Sequence, residues 1–269
     1  MITSSNNAKV KQVVQWQTKA KERRKDHVFL AEGIRMCEEA PVKNVREVYL
    51  TEELEQKIRQ NAQNGDTAFW DKLQQTGYET VSTEVFAKMA DTQTPQGILT
   101  VLEQPVYDLI QLLEQPDPLF LMLENLQDPG NLGTIIRIAD WFGIEHIFCS
   151  PDTADLYNPK TVQATMGAMA RVCVHYLSLT DLLRTANADI PVYGTFLDGN
   201  DMYGTELSPN GLIVMGNEGK GISREIASLI NRKLYIPNYP PERNTSESLN
   251  VAVATAIVCA EFRRRDTIG

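Results

Sequence analysis

The sequence predicts an α/β protein in two parts, a small mixed domain followed by a parallel-sheet domain with helices on both faces. Three observations predict this. The 269 residues exceed one typical domain and fall short of three. From Leu119 onward, apolar runs of strand length alternate with helical stretches, the pattern of strands buried on both faces. Glycine and polar residues gather at the ends of those runs, where open parallel sheets bind ligands.

Taken in order, residues 1–102 form the small unit. Lys9 to Lys25 suits a helix, His27 to Ala31 a short strand, Gly33 to Ala40 a helix, and Val45 to Thr51 a strand with Val45, Val48 and Leu50 toward a core. A helix follows near Glu52 to Asn61. Thr67 to Trp70 is a further short strand or a helix start, Asp71 to Thr76 is helical, and Gln96 to Leu102 closes the unit as a strand. Pro105, Pro116 and Pro118 mark 103–118 as a linker around a short helix.

Residues 119–269 hold six candidate strands: Leu119 to Glu124, His146 to Ser150, Val172 to Leu177, Val192 to Phe196, Leu212 to Gly216 and Lys233 to Pro237. Helices follow the first, second, third, fifth and sixth. The last of them contains nine successive residues, Val251 to Cys259, drawn only from Val, Ala, Thr, Ile and Cys, so it is apolar nearly all round and belongs in a core or an interface. Ser246, Ser248 and Asn250 precede it as polar residues suited to a helix start, where they cap free N–H groups or meet a ligand.

The formal net charge of −9 speaks against a general nucleic-acid binder. Its distribution says more. Residues 1–27 carry Lys9, Lys11, Lys19, Lys21, Arg23, Arg24 and Lys25 against Glu22 and Asp26, a local +5 that leaves −14 on the remainder. A basic arm on an acidic body fits contact with phosphates, with Lys9, Lys11, Arg23, Arg24 and Lys25 as the candidate contacts; an ordinary solvated helix face is the alternative. Four cysteines, none at CxxC spacing, and three scattered histidines give no disulfide or metal pattern, so no metal is expected. No leader or membrane-length apolar run is read, and the expected location is the cytoplasm, away from membranes.

Two glycine-bearing clusters carry the chemistry. In NLQDPGNLGTIIR, residues 125–137, Pro129-Gly130 makes a turn, Asn131 is placed to cap, and Arg137 sits among Ile135, Ile136, Ile138 and Ala139. Such an Arg is expected to meet a carboxylate, a phosphate or an opposite subunit, a structural ion pair being the alternative. In IVMGNEGKGIS, residues 213–223, a phosphate-loop reading fails on spacing, because Val214 and Gly221 stand where Gly and Ser or Thr are required. No GxGxxG follows a strand either. What remains is a loop whose backbone approaches a ligand, with Glu218 as an acceptor.

Together with IPN…SESLNVAVATAI, these clusters resemble the three motifs of the SpoU (TrmH-type) RNA 2′-O-methyltransferases of the SPOUT class, over about residues 119–265. FLAEGIRMCEEA and TPQGILTVL resemble that family's ribosomal-protein-like, RNA-binding front domain. The resemblance implies a deep trefoil knot, S-adenosylmethionine as cofactor, a homodimer with sites near its interface, and RNA as substrate. It further implies Asn131 and Arg137 as the catalytic pair of the first motif, Glu218 as the acid of the second, and Ser248 and Asn250 as the polar pair of the third. The cofactor would lie against Thr195, Phe196 and Leu197, then Met215, Gly216, Asn217 and Gly219, then Ile236 and Leu249. The loop Asn238 to Glu247 is longer than usual in the family and lacks its common Met and Gly. The front domain makes ribosomal RNA the expected target, with transfer RNA or a catalytically silent RNA-binding dimer as alternatives. A guanidinium is hardly ever deprotonated, so Arg137 is expected to stabilise charge rather than act as a base.

Overall fold

A computed structural model describes residues 1–107, 119–185, 190–240 and 248–266. Most of the expected 103–118 linker, Ser246 and most of the Asn238 to Glu247 loop lie outside the described residues. The chain forms two compact units, Met1–Val106 with Tyr157–Ala170, and Tyr107–Leu156 with Arg171–Gly269.

In the first unit, β1 (Val28–Glu32), β2 (Val45–Thr51), β3 (Glu79–Val81) and β4 (Ile98–Glu103) form a sheet in the order β1-β4-β2-β3. β4 runs antiparallel to both neighbours, and β2 and β3 are parallel. The strand β3 and the helix Thr83–Met89 are additions to the sequence reading: three residues are too few to show alternation, although Ser82 caps that helix by accepting from the Val85 N–H. Thr67 to Trp70 resolves as the start of the helix Ala68–Thr76. The helix Pro159–Thr165 joins this unit from far along the chain, Val162 packing with Phe29, Met36 and Leu102.

The single helix expected over Lys9 to Lys25 is two, Ala8–Thr18 and Ala20–Asp26, parted at Lys19, whose backbone is extended (φ −124°, ψ 107°). The break turns Arg23 inward. Only 4% exposed, its Nη1 donates to the carbonyls of Trp16 (2.7 Å) and Gln17 (3.3 Å), where the first helix ends. Its charge is therefore spent on helix-terminal carbonyls, and the expectation that Arg23 is an accessible RNA contact is corrected.

In the second unit, β5 (Leu119–Leu123), β6 (His146–Cys149), β7 (Cys173–Tyr176), β8 (Val192–Asp201), β9 (Gly211–Met215) and β10 (Arg232–Tyr235) form a six-stranded sheet in the order β10-β8-β9-β5-β6-β7. Every pairing is parallel. Side chains alternate across a strand, and both faces are covered. Phe120, Met122, Val192 and Val214 pack with Leu179, Leu183 and Ile226, while on the other face Tyr193 meets Phe262 of the helix Val251–Asp266 edge-on at 4.9 Å. β8 runs to Asp201, past the expected end at Phe196, because β10 pairs first with Tyr193 and Gly194 and then with Asn200 and Asp201. Residues 195–199 are left out of the ladder between these two pairings.

Two histidines are buried side by side in this sheet, His146 Nδ1 and His175 Nε2 being 3.3 Å apart. Burial, then the neighbouring His146, brings His175 down to about 4, and burial also lowers His146. Both are neutral in the fold and free to protonate when unfolded. Stability is therefore expected to fall as pH drops from about 6.5 toward 4, the unfolded chain binding more protons there. Urea melts across that range should show a flatter profile for His175→Phe than for the parent; identical slopes would exclude the pair as the cause.

Candidate active site

The central neighbours β5 and β9 lie where the strand order reverses, since the chain leaves β5 toward β6 on one side and β9 is flanked by β8 on the other. Open parallel sheets bind ligands at such a point. Backbone and side chains tie the two strand ends together. Glu124 donates its N–H to the Met215 carbonyl (2.9 Å), its carboxylate accepts from the Ser223 N–H (2.8 Å), and Asn217 Nδ2 donates to the Asn125 carbonyl (2.6 Å).

Asn217 also shapes its own loop. Its backbone exchanges hydrogen bonds with Gly221 (3.0 and 2.9 Å), and its Oδ1 accepts from the N–H groups of Gly219 (2.9 Å) and Lys220 (3.0 Å). The turn is so tight that a Cβ on Gly216 would stand 2.4 Å from the carbonyl carbon of Gly221.

The helix Pro129–Trp141 is capped by Asp128, which accepts from the Asn131 N–H at 2.7 Å, and not by Asn131 as the sequence suggested. Asn131 is thereby released from capping and sits in the first turn. Its Nδ2 donates to Glu218 Oε1 (3.1 Å), and its Oδ1 accepts from Asn250 Nδ2 (3.0 Å). Asn250 combines both roles foreseen for it, since its Oδ1 accepts from the N–H groups of Ala252 (2.9 Å) and Val253 (3.3 Å) at the start of the last helix. One residue from each motif thus joins an unbroken chain, Asn250 to Asn131 to Glu218. Asn250→Asp keeps the cap and removes the donor, so turnover should fall about tenfold with little change in melting temperature. A steady-state assay beside thermal melts checks this.

A cleft of about 480 Å³ opens beside that chain, within the size range of small-molecule sites. All the residues expected at the cofactor line it: Thr195, Phe196 and Leu197 from the part of β8 excluded from the ladder, Met215, Gly216, Asn217 and Gly219 after β9, and Ile236 and Leu249. Glu218 and Ser248 line it too, whereas Asn131, Asn250 and Arg137 do not. Sequence reasoning missed Lys220, Gly221, Ile222, Tyr235, Val251 and Ala254 in its walls. Tyr235 and Val251 adjoin expected residues, a neighbourhood that could have flagged them. The cleft offers what a nucleoside-bearing cofactor needs. Phe196, Tyr235 and Ile236 supply apolar and aromatic surface.

Arg137 is placed otherwise than expected. The helix buries Leu132, Gly133, Ile135, Ile136 and Ala139, and Arg137 falls on the opposite, exposed stripe with Thr134 and Trp141. Its apolar neighbours in sequence are not its neighbours in space, which removes the argument that burial demands a partner. Among the described residues of the chain it bonds neither Glu218 nor Asn250. Of the proposed RNA contacts besides Arg23, Lys11, Arg24 and Lys25 are exposed, and Lys9 is paired with Glu79 on the surface. Among the described residues there is no group of three or more His, Cys, Asp or Glu that could hold a metal ion, and no helix is long and apolar enough to cross a membrane.

Three strand-end loops of a parallel six-stranded sheet meet around a cleft, the usual ligand site of an open α/β fold, and comparison with known proteins places it. Residues 118–260 match the SpoU rRNA Methylase family and residues 7–100 the MRM3-like substrate binding domain. The chain belongs to the SpoU rRNA methylase family. It is 32% identical over 268 residues to the 23S rRNA (guanosine(2553)-2′-O)-methyltransferase RlmP of Bacillus subtilis, covering 97% of this chain and 98% of that protein. Among solved structures it resembles a TrmH-family protein from Porphyromonas gingivalis (TM-score 0.78, 34% identity, 97% of this chain and 100% of the other). It also resembles an AdoMet-bound rRNA methyltransferase from Sinorhizobium meliloti (TM-score 0.82, 27% identity, 98% and 97%).

Proposed function

We propose that this protein transfers the methyl group of S-adenosylmethionine to a ribose 2′-hydroxyl of ribosomal RNA. The observation that carries the reading is the Asn250–Asn131–Glu218 chain, which reaches the wall of the cleft through Glu218. Bound S-adenosylmethionine supplies an electrophilic methyl on a positively charged sulfur. The chain's own task is mainly to hold the ribose oxygen in line with that methyl, since positioning contributes most to such a transfer. Asn131, fixed from both sides, orients the ribose. Arg137 bonds the adjacent phosphate and stabilises charge on the oxygen as its proton leaves to phosphate or water.

A homodimer belongs to the same reading. Trp141 is 85% exposed and Val253 49% exposed, large apolar surfaces on two helices that pack against each other, with Arg137 on the same stripe as Trp141. A second copy covering them would bring Arg137 to a site without burying an unpaired charge. The trefoil threading of the C-terminal segment is part of it too, supported by the match of residues 118–260 to the SpoU family. The exposed Lys11, Arg24 and Lys25 would meet RNA phosphates. Incubation with tritiated S-adenosylmethionine and unmodified ribosomal RNA tests the function. Label at a ribose 2′-oxygen is expected; RNA binding without incorporation would favour the silent dimer, and incorporation into transfer RNA alone would move the substrate.

A further inference from the structure

We propose that Arg263, which lies outside the cleft, is a positioning residue for methyl transfer: by pinning the far ends of two helices together it holds Asn131 within bonding distance of Asn250. The proposal rests on the methyl-transfer reading. The helices are Pro129–Trp141, with Asn131 in its first turn, and Val251–Asp266, whose first N–H groups Asn250 caps. They pack against each other, and both belong to the second unit.

Their two ends are joined separately. At the near end, Asn250 Nδ2 donates to Asn131 Oδ1 (3.0 Å). At the far end, Arg263 Nε donates to the Phe142 carbonyl (2.8 Å) and its Nη2 to the Gly143 carbonyl (3.2 Å), just past the last turn of the first helix. Near end meets near end and far end meets far end, so the two helices run in the same direction. Carbonyls at a helix C-terminus lack partners within the helix and attract a cation, and the guanidinium fork adds direction to that attraction.

The second helix is itself anchored. Glu261, 6% exposed, accepts from Arg265 Nε (2.7 Å), and Arg265 donates to the carbonyls of Met202 (2.9 Å), Tyr203 (2.8 Å) and Thr205, in the turn after β8. β8 is the strand that brings Thr195, Phe196 and Leu197 to the cleft. The turn Glu261 to Arg265 therefore fastens the helix of Asn131 and the strand of the cleft to one support.

Geometry sets the size of the effect. From Phe142 back to Asn131 is about 16 Å along the helix axis, so a tilt of about 4° moves Asn131 by about 1 Å. Such a shift stretches a 3.0 Å hydrogen bond to about 4 Å, beyond bonding range.

A double-mutant cycle on the full chain tests this. Arg263→Ala should lower kcat about tenfold, counted per cofactor-binding site by calorimetry, with KM for S-adenosylmethionine unchanged. Arg263→Lys keeps the charge without the fork and should recover part of the loss. Asn250 and Arg263 are about 20 Å apart along their helix, and substitutions at that distance ordinarily act independently, which would multiply the two losses to about a hundredfold. Because both changes break one bond, the double variant should instead stay within about threefold of Asn250→Asp alone. NMR reads the same bond without turnover: the Asn131 side-chain amide should shift in Arg263→Ala, whereas a group serving only the end of a helix would leave it unmoved. If Arg263→Ala fails to fold, Arg263→Lys carries both measurements. Multiplied losses or an unmoved Asn131 amide would overturn the proposal. A shifted amide in a protein whose parent form methylates no RNA would count against the proposed function and leave the positioning role standing.

Discussion

Arg137→Ala is expected to lower turnover by about a hundred- to a thousandfold, the loss typical of removing one donor aimed at developing charge. Melting temperature and cofactor affinity should not change. That separation follows from where the side chain sits: it is exposed, packs no core, and lines no part of the cleft. Arg137→Lys should recover only part of the loss, because an ammonium keeps the charge but not the planar fork that grips phosphate from two sides. Single-turnover methylation beside calorimetric cofactor titration makes the measurement. Full activity in Arg137→Ala would remove it from the site, and an equal loss of cofactor binding would make it structural.

Gly216→Ala is expected to abolish cofactor binding and to cost about 1 to 3 kcal/mol of stability, as overpacking against a fixed neighbour does. The added Cβ would lie 2.4 Å from Gly221 C, 2.5 Å from Ile222 N and 2.6 Å from Gly221 O. All three are backbone atoms of a turn held by Asn217, so none can swing aside as a side chain end could. Relief requires opening the turn, which carries Glu218 away from Asn131. Gly204→Ala, outside the cleft, is the control. Its Cβ would meet only the Asp201 carbonyl oxygen, at 3.9 Å, and calorimetry should find cofactor affinity within about threefold of the parent. Equal affinities in the two variants would show that the cleft does not depend on the turn.

Much of the second unit was legible because parallel strands buried on both faces leave continuous apolar runs, and all six candidates correspond to strands of the sheet. The front unit was less so. β3 is three residues long, and the break at Lys19 goes with Arg23 folding back on the carbonyls of Trp16 and Gln17, a contact that local periodicity does not register. At the site, Asn250 was read as both cap and functional amide, and it is both. Asp128 was passed over as the cap because Asn131, three residues on, is an equally good capping residue by type.

What the sequence determined by itself was the pattern: alternating apolar runs that require a two-faced parallel sheet, and three polar clusters at strand ends whose order and composition identify the family. Only the tertiary structure decided which groups meet. Hydrogen bonds such as Asn131 to Glu218 and Asn250 to Asn131 join residues 87 and 119 positions apart. Strand order sets those distances, and residue type does not. The same holds for the inward turn of Arg23 and the outward turn of Arg137. Whether a side chain faces core, solvent or ligand depends on which elements pack beside it, a property of three-dimensional contacts that no local stretch of chain contains.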